Sequence, residues 1–258
     1  QAHTSLKPHA ETPPAPLEVI ADLAGGDASW LASPSLAPAE LLEAIAEKHW
    51  GSGEPLTRIA ANPAAPKHLL RRLLDHPDAS TRRAAAMHPN LPATDLRDAA
   101  RQATSQGDDD HAVSLMTNLA RRPDIDARDI TWLVNWTLRH KRGQVGALLY
   151  AASNPNTPQK TLRALHQLGR DTSNSALLEE VATNPHLPHD LAHDLAKGVN
   201  TVRRALARDA SRLPPDVQER LVLDPDPMVR DAAIATTNLH DHLTKSAQAP
   251  FINVRENT

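Results

Sequence analysis

The chain has 258 residues, with 28 lysines and arginines against 31 aspartates and glutamates, so its formal net charge at pH 7 is −3. This balance excludes a strong overall attraction to nucleic acid or to an anionic membrane, and leaves room only for a local basic patch. The absence of cysteine excludes disulfides, thiolate nucleophiles and cysteine-ligated zinc, and it suits a cytoplasmic protein.

Both ends of the chain are predicted to be tails. Residues 1–16 are polar and proline-rich without a periodic apolar face, and residues 246–258 have the same character. The part between them, residues 17–245, is predicted to be an array of helical repeats. No stretch in it approaches the roughly 18 to 20 apolar residues that span a bilayer.

A short phrase recurs along the array: an alanine-rich stretch, Asn-Pro, two residues, and a second proline that opens an apolar-periodic segment. Its clearest copies are residues 60–66, 152–158 and 182–188, and His replaces Asn in residues 86–92. Such self-similarity is typical of stacked supersecondary units. Alignment on the second proline gives a series of equivalent anchor positions: Pro38, Pro66, Pro92, Asp126, Pro158, Pro188, Pro214 and His240.

Each anchor position predicts the start of a first helix. An apolar residue follows three or four positions later and again seven positions later, which is the buried stripe of a short amphipathic helix. The second proline suits the first helical position, where its missing N–H costs nothing. The residues seven positions after the anchors are Ile45, Leu73, Ala99, Leu133, Leu165, Leu195, Leu221 and Ala247.

A second helix follows in several units as an alanine-rich segment, most clearly in residues 81–86, 202–207 and 229–234. Alanine is the best helix former, and its small size lets such a helix lie close to its neighbours. Asn-Pro then ends the second helix, because proline disfavours α geometry in the residue before it and asparagine tolerates a C-cap turn.

The middle of the chain, about residues 102–150, departs most from the pattern. Residues 107–110 read Gly-Asp-Asp-Asp, and the unit around Asp126 lacks its anchoring proline. We expect a longer loop or irregular packing there, and insertions in repeat arrays sometimes form the binding face.

Residues 224–234 resemble the second-helix signature of HEAT-like repeats, and the sequence from Asp78 to Arg82 is similar to it. The Asn-Pro-x-x-Pro-x-x-x-Leu phrase resembles the leucine-rich repeat variant family, a bacterial relative of the same helical class. The resemblance spans residues 36–245. It implies an all-α fold, a right-handed α-solenoid (superhelix) of about seven to eight helix–turn–helix repeats, whose second element is an α-helix or a 3₁₀ turn. It implies no iron–sulfur cluster, because the cysteines are absent.

Two histidines, His189 and His193, have the i, i+4 spacing that zinc hydrolases use. Asp190 stands where those enzymes have a catalytic glutamate, and no third ligand is evident. The equivalent residues of other repeats look like ordinary exposed positions. A metal-dependent hydrolase is therefore an alternative that we do not favour, and no cofactor is predicted.

Arginines recur early in the second helices, and they allow two interpretations. In the first, Arg82, Arg203 and Arg230 pair with turn carboxylates such as Asp78 and Asp226, or with helix C-terminal carbonyls, and form a structural ladder along the stack. In the second, these arginines and their neighbours line the concave surface and bind an acidic partner. The neighbours concerned are Arg83 and Arg204.

The segment 121–142 is the preferred partner-binding site. It is rich in arginine, and Trp132 and Trp136 lie one helical turn apart in it. Tryptophan and arginine are enriched at binding hot spots, although either tryptophan could instead fill a gap in an irregular unit. The residues assigned to partner binding are Arg83, Arg128, Trp132, Trp136, Arg139, Arg142 and Arg204.

These observations predict a non-enzymatic helical-repeat scaffold that binds a protein or peptide of acidic character. The alternative is a nucleic-acid-binding HEAT-like solenoid, with DNA base repair by a glycosylase-like enzyme as one form of it. Nucleophilic catalysis has no support, because the sequence lacks a Gly-x-Ser-x-Gly elbow, a phosphate-binding glycine loop and any cysteine.

Overall fold

The computed structural model describes residues 38–140 and 145–237, and in these residues the backbone forms fourteen α-helices, one 3₁₀ turn and no strand. The predicted tails, Arg142 and His240 lie outside the described residues. The helices are α1 (Ala39–Lys48), α2 (Gly53–Ala61), α3 (Lys67–Leu74), α4 (Ala79–Met87), α5 (Ala93–Gln106), α6 (Asp109–Ala120), α7 (Ala127–His140), α8 (Val145–Ser153), α9 (Gln159–Asp171), α10 (Ser175–Thr183), α11 (His189–Leu195), α12 (Asn200–Ala207), α13 (Pro215–Val222) and α14 (Pro227–Thr236).

The fourteen helices form seven successive pairs. The odd-numbered helices are the predicted first helices, each beginning directly after an anchor position, and the even-numbered helices are the second helices. Every described second helix is α-helical, and the 3₁₀ turn (Ala210–Arg212) lies between α12 and α13. The predicted all-α helical-repeat fold is confirmed.

The chain divides into two compact units, Gln1–Ala99 and Ala100–Thr258, and the division falls within α5. In the first unit, α2 packs on α4, and each lies against the first helix of its own pair. In the second unit, α6, α8, α10, α12 and α14 pack on one another in sequence. Second helices therefore make the closest contacts between repeats in both units.

The predicted apolar stripe of the first helices is buried. Leu69 and Leu73 of α3, and Leu162 and Leu165 of α9, are at most 1% exposed. Ala99 departs from the pattern because it is only half-buried, and Ala100 takes the fully buried position of α5 instead.

The anchor proline is the N-cap of the first helix, one position earlier than predicted. Pro66 has φ −72° and ψ 145°, and its carbonyl oxygen accepts the first helical hydrogen bond from the N–H of Leu70 at 3.1 Å. The ring fixes φ at a value suited to either position, whereas the extended ψ places the residue outside the helix. The preceding residue is then outside the helix as well, which explains why apolar Leu91 and Leu213 are accepted and buried there.

The asparagine of the repeated phrase adopts extended geometry, not a left-handed C-cap turn. Asn184 has φ −63° and ψ 127°, as expected before proline. Its side-chain oxygen accepts from the N–H of His186 at 2.9 Å, and its Nδ2 donates to the carbonyls of Ala152 and Asn154 at 2.7 and 2.8 Å. The buried Asn184 therefore closes its own turn and also bonds to the preceding repeat.

The same link recurs with other side chains. Asn154 Nδ2 donates to Ala120 O at 2.8 Å, and in the first unit the ring of His88 hydrogen-bonds with Asn62 O at 2.9 Å. Where Ala210 replaces the asparagine, Arg212 donates to the carbonyls of the preceding repeat. Within each unit, the repeats that carry these links are thus joined by buried hydrogen bonds as well as by apolar packing.

The middle of the chain contains longer helices where the sequence suggested a longer loop. α5 has 14 residues and α6 has 12. Between them, Gly107 adopts a positive φ of 75°, and the Asp108 side chain caps α6 by accepting from the N–H of His111 at 3.1 Å. The tight turn is possible because glycine enters the left-handed region without a steric penalty. A longer loop does not form at residues 107–108, and irregular packing, the other form of the expectation, stays a prediction.

Asp126 replaces the missing anchor proline at the start of α7. Its backbone carbonyl accepts from the N–H groups of Asp129 and Ile130, and its side chain accepts from the N–H of Arg128 at 2.7 Å. Asp126 can therefore be the N-cap of α7 in place of a proline. Its carboxylate accepts a hydrogen bond from a backbone N–H of the first turn, which a proline N-cap would leave to solvent. Among the described residues, no helix is long and apolar enough to cross a membrane.

Candidate partner-binding surface

Four of the predicted partner-binding residues lie on one face of α7. At about 100° per residue, Arg128, Trp132, Trp136 and Arg139 occupy a sector of about 80°. Arg128 and Arg139 are exposed, and both tryptophans are half-buried. We call these four residues the α7 face. Its composition combines large, partly desolvated aromatic rings with accessible cations.

Trp132 is held by a residue of the first helix of the preceding repeat. The guanidinium carbon of Arg101 in α5 lies 5.0 Å from the centroid of the Trp132 ring. Arg101 also pairs with Asp129 at 3.3 Å, and the Asp129 carboxylate is largely buried. This cation–π contact fixes one edge of the α7 face, because the ion pair restricts where the guanidinium can lie.

Trp136 stacks on the last residue of its own helix. The rings of Trp136 and His140 have centroids 4.1 Å apart and an interplanar angle of 17°. The Nδ1–H of His140 donates to the carbonyl oxygen of Trp136 at 2.8 Å. The stacked histidine holds the indole against the helix while leaving part of it accessible, as a pre-ordered contact residue requires.

Neither cation of the α7 face is paired within residues 38–140 and 145–237. The side chains of Arg128 and Arg139 make no hydrogen bond or ion pair with another described residue. The structure does not describe Arg142, which follows them in the sequence. Arg128 and Arg139 therefore remain available to an external acceptor.

Ion pairs join several successive first helices, but α7 has none with α9 at the position that supplies them in other repeats. In several repeats the residue five positions after an anchor pairs with the next first helix, as in Arg163 with Asp190 at 2.9 Å, although Arg97 of α5 pairs with Asp98 of its own helix. At the same position α7 has Thr131, whose hydroxyl lies 3.2 Å from that of Thr161. Because this contact is neutral, α9 provides no carboxylate that pairs with Arg128 or Arg139.

The other two predicted contact residues lie on second helices. Arg83 is exposed on α4 and Arg204 on α12, and neither side chain bonds to another described residue. Within the second unit, α12 packs against α10, α11, α13 and α14. Arg204 therefore belongs to the second-helix row, whereas the α7 face belongs to the first-helix row.

The recurring arginines of the second helices bond mainly within their own repeats. Arg82 donates to the carbonyls of His76 and Pro77 at 2.8 and 2.7 Å, and Arg230 donates to Asp224 O at 2.9 Å. These carbonyls belong to the turn that precedes each second helix. The arginines thus secure the turn between the two helices of a pair.

Arg203 bonds to the next repeat, whereas the repeat that follows Arg230 lies outside the described residues. It donates to Gly198 O at 2.7 Å and forms a two-point pair with the Asp224 carboxylate at 2.7 and 3.0 Å. Burial opposes ionisation of Asp224, but the hydrogen bonds from Arg203 and from the N–H of Asp226, together with the charge of Arg203, outweigh it and hold the pKa of that carboxyl below its ordinary value. The pair therefore joins two repeats while both groups stay charged.

Asp78 and Asp226 act as helix N-caps. The Asp78 carboxylate accepts from the N–H of Thr81 at 2.7 Å, and Asp226 accepts from the N–H of Met228 at 2.9 Å. The Thr81 hydrogen bonds lower the pKa of Asp78. Neither carboxylate bonds to Arg82 or Arg230. The five residues of the predicted ladder therefore secure turns and helix ends, and they also make two contacts between repeats, Arg203 with Asp224 and Asp226 with Asn200.

His189 and His193 lie on α11, but the described residues do not surround them with further metal ligands. His193 Nδ1 is 3.2 Å from Asp216 of α13, in the row that joins first helices. No group of three or more histidine, aspartate or glutamate side chains in residues 38–140 and 145–237 is placed to hold a metal ion.

Arg101 and His140 complete the α7 face, and the sequence reasoning did not identify them. Arg101 precedes Asp129 by 28 residues, close to the repeat length, so comparison of charges one repeat apart could have indicated the pair. His140 follows Trp136 by four residues, which is the spacing of side chains that meet on a helix.

Seven successive helix pairs with recurring links between them identify the architecture of the described residues. The chain is a helical-repeat protein. No family model and no curated protein match it. Among solved structures, the chain is similar to the crystal structure of an engineered protein, Northeast Structural Genomics Consortium target OR329, with 17% identity, coverage of 85% of this chain and 94% of that chain, and a TM-score of 0.27.

Proposed function

We propose that this helical-repeat protein is a non-enzymatic scaffold that binds a protein or peptide partner of acidic character through the α7 face. The observation that carries the proposal is the pairing of two half-buried tryptophans with two cations that bond to no described residue. In a binding interface, the rings supply desolvated area and the arginines supply charge-assisted hydrogen bonds to carboxylates.

The wider assignment is part of the same proposal. The sequence phrases support membership of the leucine-rich repeat variant class or a HEAT-like relative, in a cytoplasmic setting that suits a chain without cysteine. Arg142 extends the basic character of α7 in sequence, and Arg83 and Arg204 are secondary contact residues on the second helices.

Capture from a lysate of the native host tests the proposal. Tagged wild-type protein is cross-linked and compared with a Trp136→Ala, Arg139→Glu double variant. We expect the double variant to capture at least about tenfold less of each partner than wild type does. The reason is that truncation of a hot-spot residue costs about 2 kcal/mol or more of binding free energy. A matched control, Ile234→Ala with Lys160→Glu, removes an exposed apolar side chain and reverses an exposed cation elsewhere. Equal capture by wild type and by the α7 variant would refute the assignment.

A salt titration separates protein binding from nucleic-acid binding. Labelled duplex DNA is mixed with wild-type protein, and anisotropy is measured between about 50 and 200 mM salt, where phosphate contacts lose orders of magnitude in affinity. We expect no binding at the low-salt end. A measurable affinity that falls steeply with salt and is removed by Arg128→Glu would replace the proposal with the nucleic-acid alternative.

A further inference from the structure

A second surface lies in the second unit, between the C-terminal ends of α11 and α13. A cavity of about 490 Å³ opens there, and its lining includes Lys197, Arg220 and the apolar Leu223. We call it the α11–α13 groove. None of its residues belongs to the α7 face, so the two surfaces can be tested independently.

The groove has an excess of positive charge. Arg203 and Asp224 also line it, but they satisfy each other through their two-point pair. Lys197 and Arg220 are exposed, and their side chains bond to no other described residue. Both cations lie at the ends of helices, where the helix dipole favours positive charge. The groove therefore contains two cations, Lys197 and Arg220, with which no carboxylate of the groove pairs.

The equivalent positions in the first unit contain such a carboxylate. Counting from the anchors, Lys197 lies nine residues after Pro188, as Glu47 does after Pro38, and Arg220 lies six residues after Pro214, as Arg72 does after Pro66. Glu47 and Arg72 form an ion pair, and the side-chain hydrogen bond from Arg72 lowers the pKa of Glu47. The α11–α13 groove thus has a lysine where the first unit has the carboxylate.

The preceding interface of the second unit is filled by a charged cluster. Its cavity, between α9 and α11, is about 220 Å³. Asp194, six residues after its anchor, pairs there with His166 at 2.9 Å and with Arg170. At the next interface Arg220 takes the position of Asp194, and Ala196 takes the position of His166. The loss of an imidazole and the change from an acid to a base leave the α11–α13 groove larger and basic.

An exposed apolar side chain completes the groove. Leu223 is 72% exposed, whereas the residues at the same distance from their anchors include Glu47 and Asp75 in the first unit and Lys197 in the second. The basic groove is therefore lined by one largely uncovered apolar side chain.

We propose that the α11–α13 groove binds an acidic segment of a partner protein. A carboxylate of that segment accepts hydrogen bonds from Lys197 and Arg220, in the role that Glu47 fills internally in the first unit. An apolar side chain beside that carboxylate covers Leu223. The open cavity accommodates such a side chain, and the two cations select its acidic neighbour.

The test uses arrays of immobilised eight-residue peptides in which one leucine is surrounded by Asp and Glu. A matched array has Asn and Gln at the same positions. We expect full-length wild-type protein to be retained on the acidic array at least about tenfold more strongly than on the neutral array. We expect Lys197→Glu to abolish the difference, because the new carboxylate pairs with Arg220 and repels the peptide.

Controls separate this site from general charge effects and from the α7 face. Lys160→Glu makes the same charge change on α9 and should leave retention unchanged. The comparison is repeated in a Trp136→Ala, Arg139→Glu background, where the α7 face does not contribute and Lys197→Glu should still remove the remaining retention, so the two surfaces can fail separately. Urea unfolding of Lys197→Glu should match wild type, which shows that lost retention is not lost folding. The proposal would be overturned if wild type were retained no more strongly than Lys197→Glu, or if Lys160→Glu lost as much retention as Lys197→Glu. It would also be overturned if wild type were retained more strongly on phosphoserine peptides that lack Asp and Glu.

Discussion

The two rows of helices differ in what holds successive repeats together. Second helices meet through small buried side chains such as Ala182 and Ala205, and buried hydrogen bonds from residues such as Asn184 lie at their C-terminal ends. First helices are joined on their outer faces by ion pairs such as Arg163 with Asp190, whose side chains are 45% and 60% exposed. The contacts of the second helices and their turns are therefore expected to contribute most of the stability between repeats. Substitutions on the outer face of the first helices are expected to cost little.

The largest effect is expected from opening a cavity in the second-helix row. Leu206 of α12 is fully buried, and Leu206→Ala should lower the free energy of unfolding by about 2 to 5 kcal/mol. Urea unfolding followed by circular dichroism measures the loss. Arg208→Ala, at the exposed end of the same helix, should stay within about 0.5 kcal/mol of wild type. Similar losses in both variants would contradict the assignment of stability to the buried face of the second helices.

A smaller effect is expected from removing one buried link between repeats. Asn184→Leu keeps a side chain of similar size but leaves the carbonyls of Ala152 and Asn154 without their donor. We expect a loss of about 1 to 3 kcal/mol. The exposed Asn135 of α7 is the matched position, and Asn135→Leu should change little. A neutral Asn184→Leu would show that the link is not needed for stability.

Acid should weaken the contact between repeats that Arg203 and Asp224 form. Because the folded pKa of Asp224 lies below its unfolded value, the pair stabilises the fold above the unfolded pKa of about 4. That contribution is lost as the pH falls through the folded pKa. The free energy of unfolding, measured from pH 6 downward, should therefore fall more steeply for wild type than for Asp224→Asn. Parallel pH profiles would contradict a charged pair.

The smallest effect is expected in the outer row. Arg163→Ala should cost no more than about 1 kcal/mol, because the pair with Asp190 is exposed and pays side-chain entropy to form. Addition of 1 M salt to wild type should screen the Arg163–Asp190 pair and lower the free energy of unfolding by a similarly small amount. Urea midpoints of the variant and wild type at both salt concentrations provide the measurement. A loss as large as that of Leu206→Ala would contradict the expectation that the second helices contribute most of the stability between repeats.

The sequence predicted those parts of the fold that depend on local periodicity. The stripe containing Leu69 and Leu162 follows from helical spacing alone, and it is buried. The turn at Gly107 was misjudged, because turn length depends on a left-handed backbone geometry that the Gly-Asp-Asp-Asp sequence permits but does not require. The proline N-cap was misplaced by one residue, because the φ of proline suits both positions.

The candidate surfaces were less predictable because they depend on contacts between repeats. Trp132 and Trp136 could be placed on one helical face from their spacing. Arg101, which lies over Trp132, belongs to the first helix of the preceding repeat, and only the three-dimensional arrangement of the repeats brings it there. Lys197 and Arg220 look like ordinary surface charges in sequence. Their significance follows from the ion pair at the equivalent positions of the first unit.

Site-specific photo-cross-linking tests the central claim, that the α7 face contacts a protein partner. The photoreactive amino acid p-benzoylphenylalanine is introduced in place of exposed Asn135, beside Arg128 and Arg139 on α7, and in a parallel variant in place of exposed Lys160 on α9. After irradiation in the native host, we predict that a defined protein is cross-linked through position 135 and not through position 160. Equal cross-linking from both positions, or none from position 135, would contradict the account.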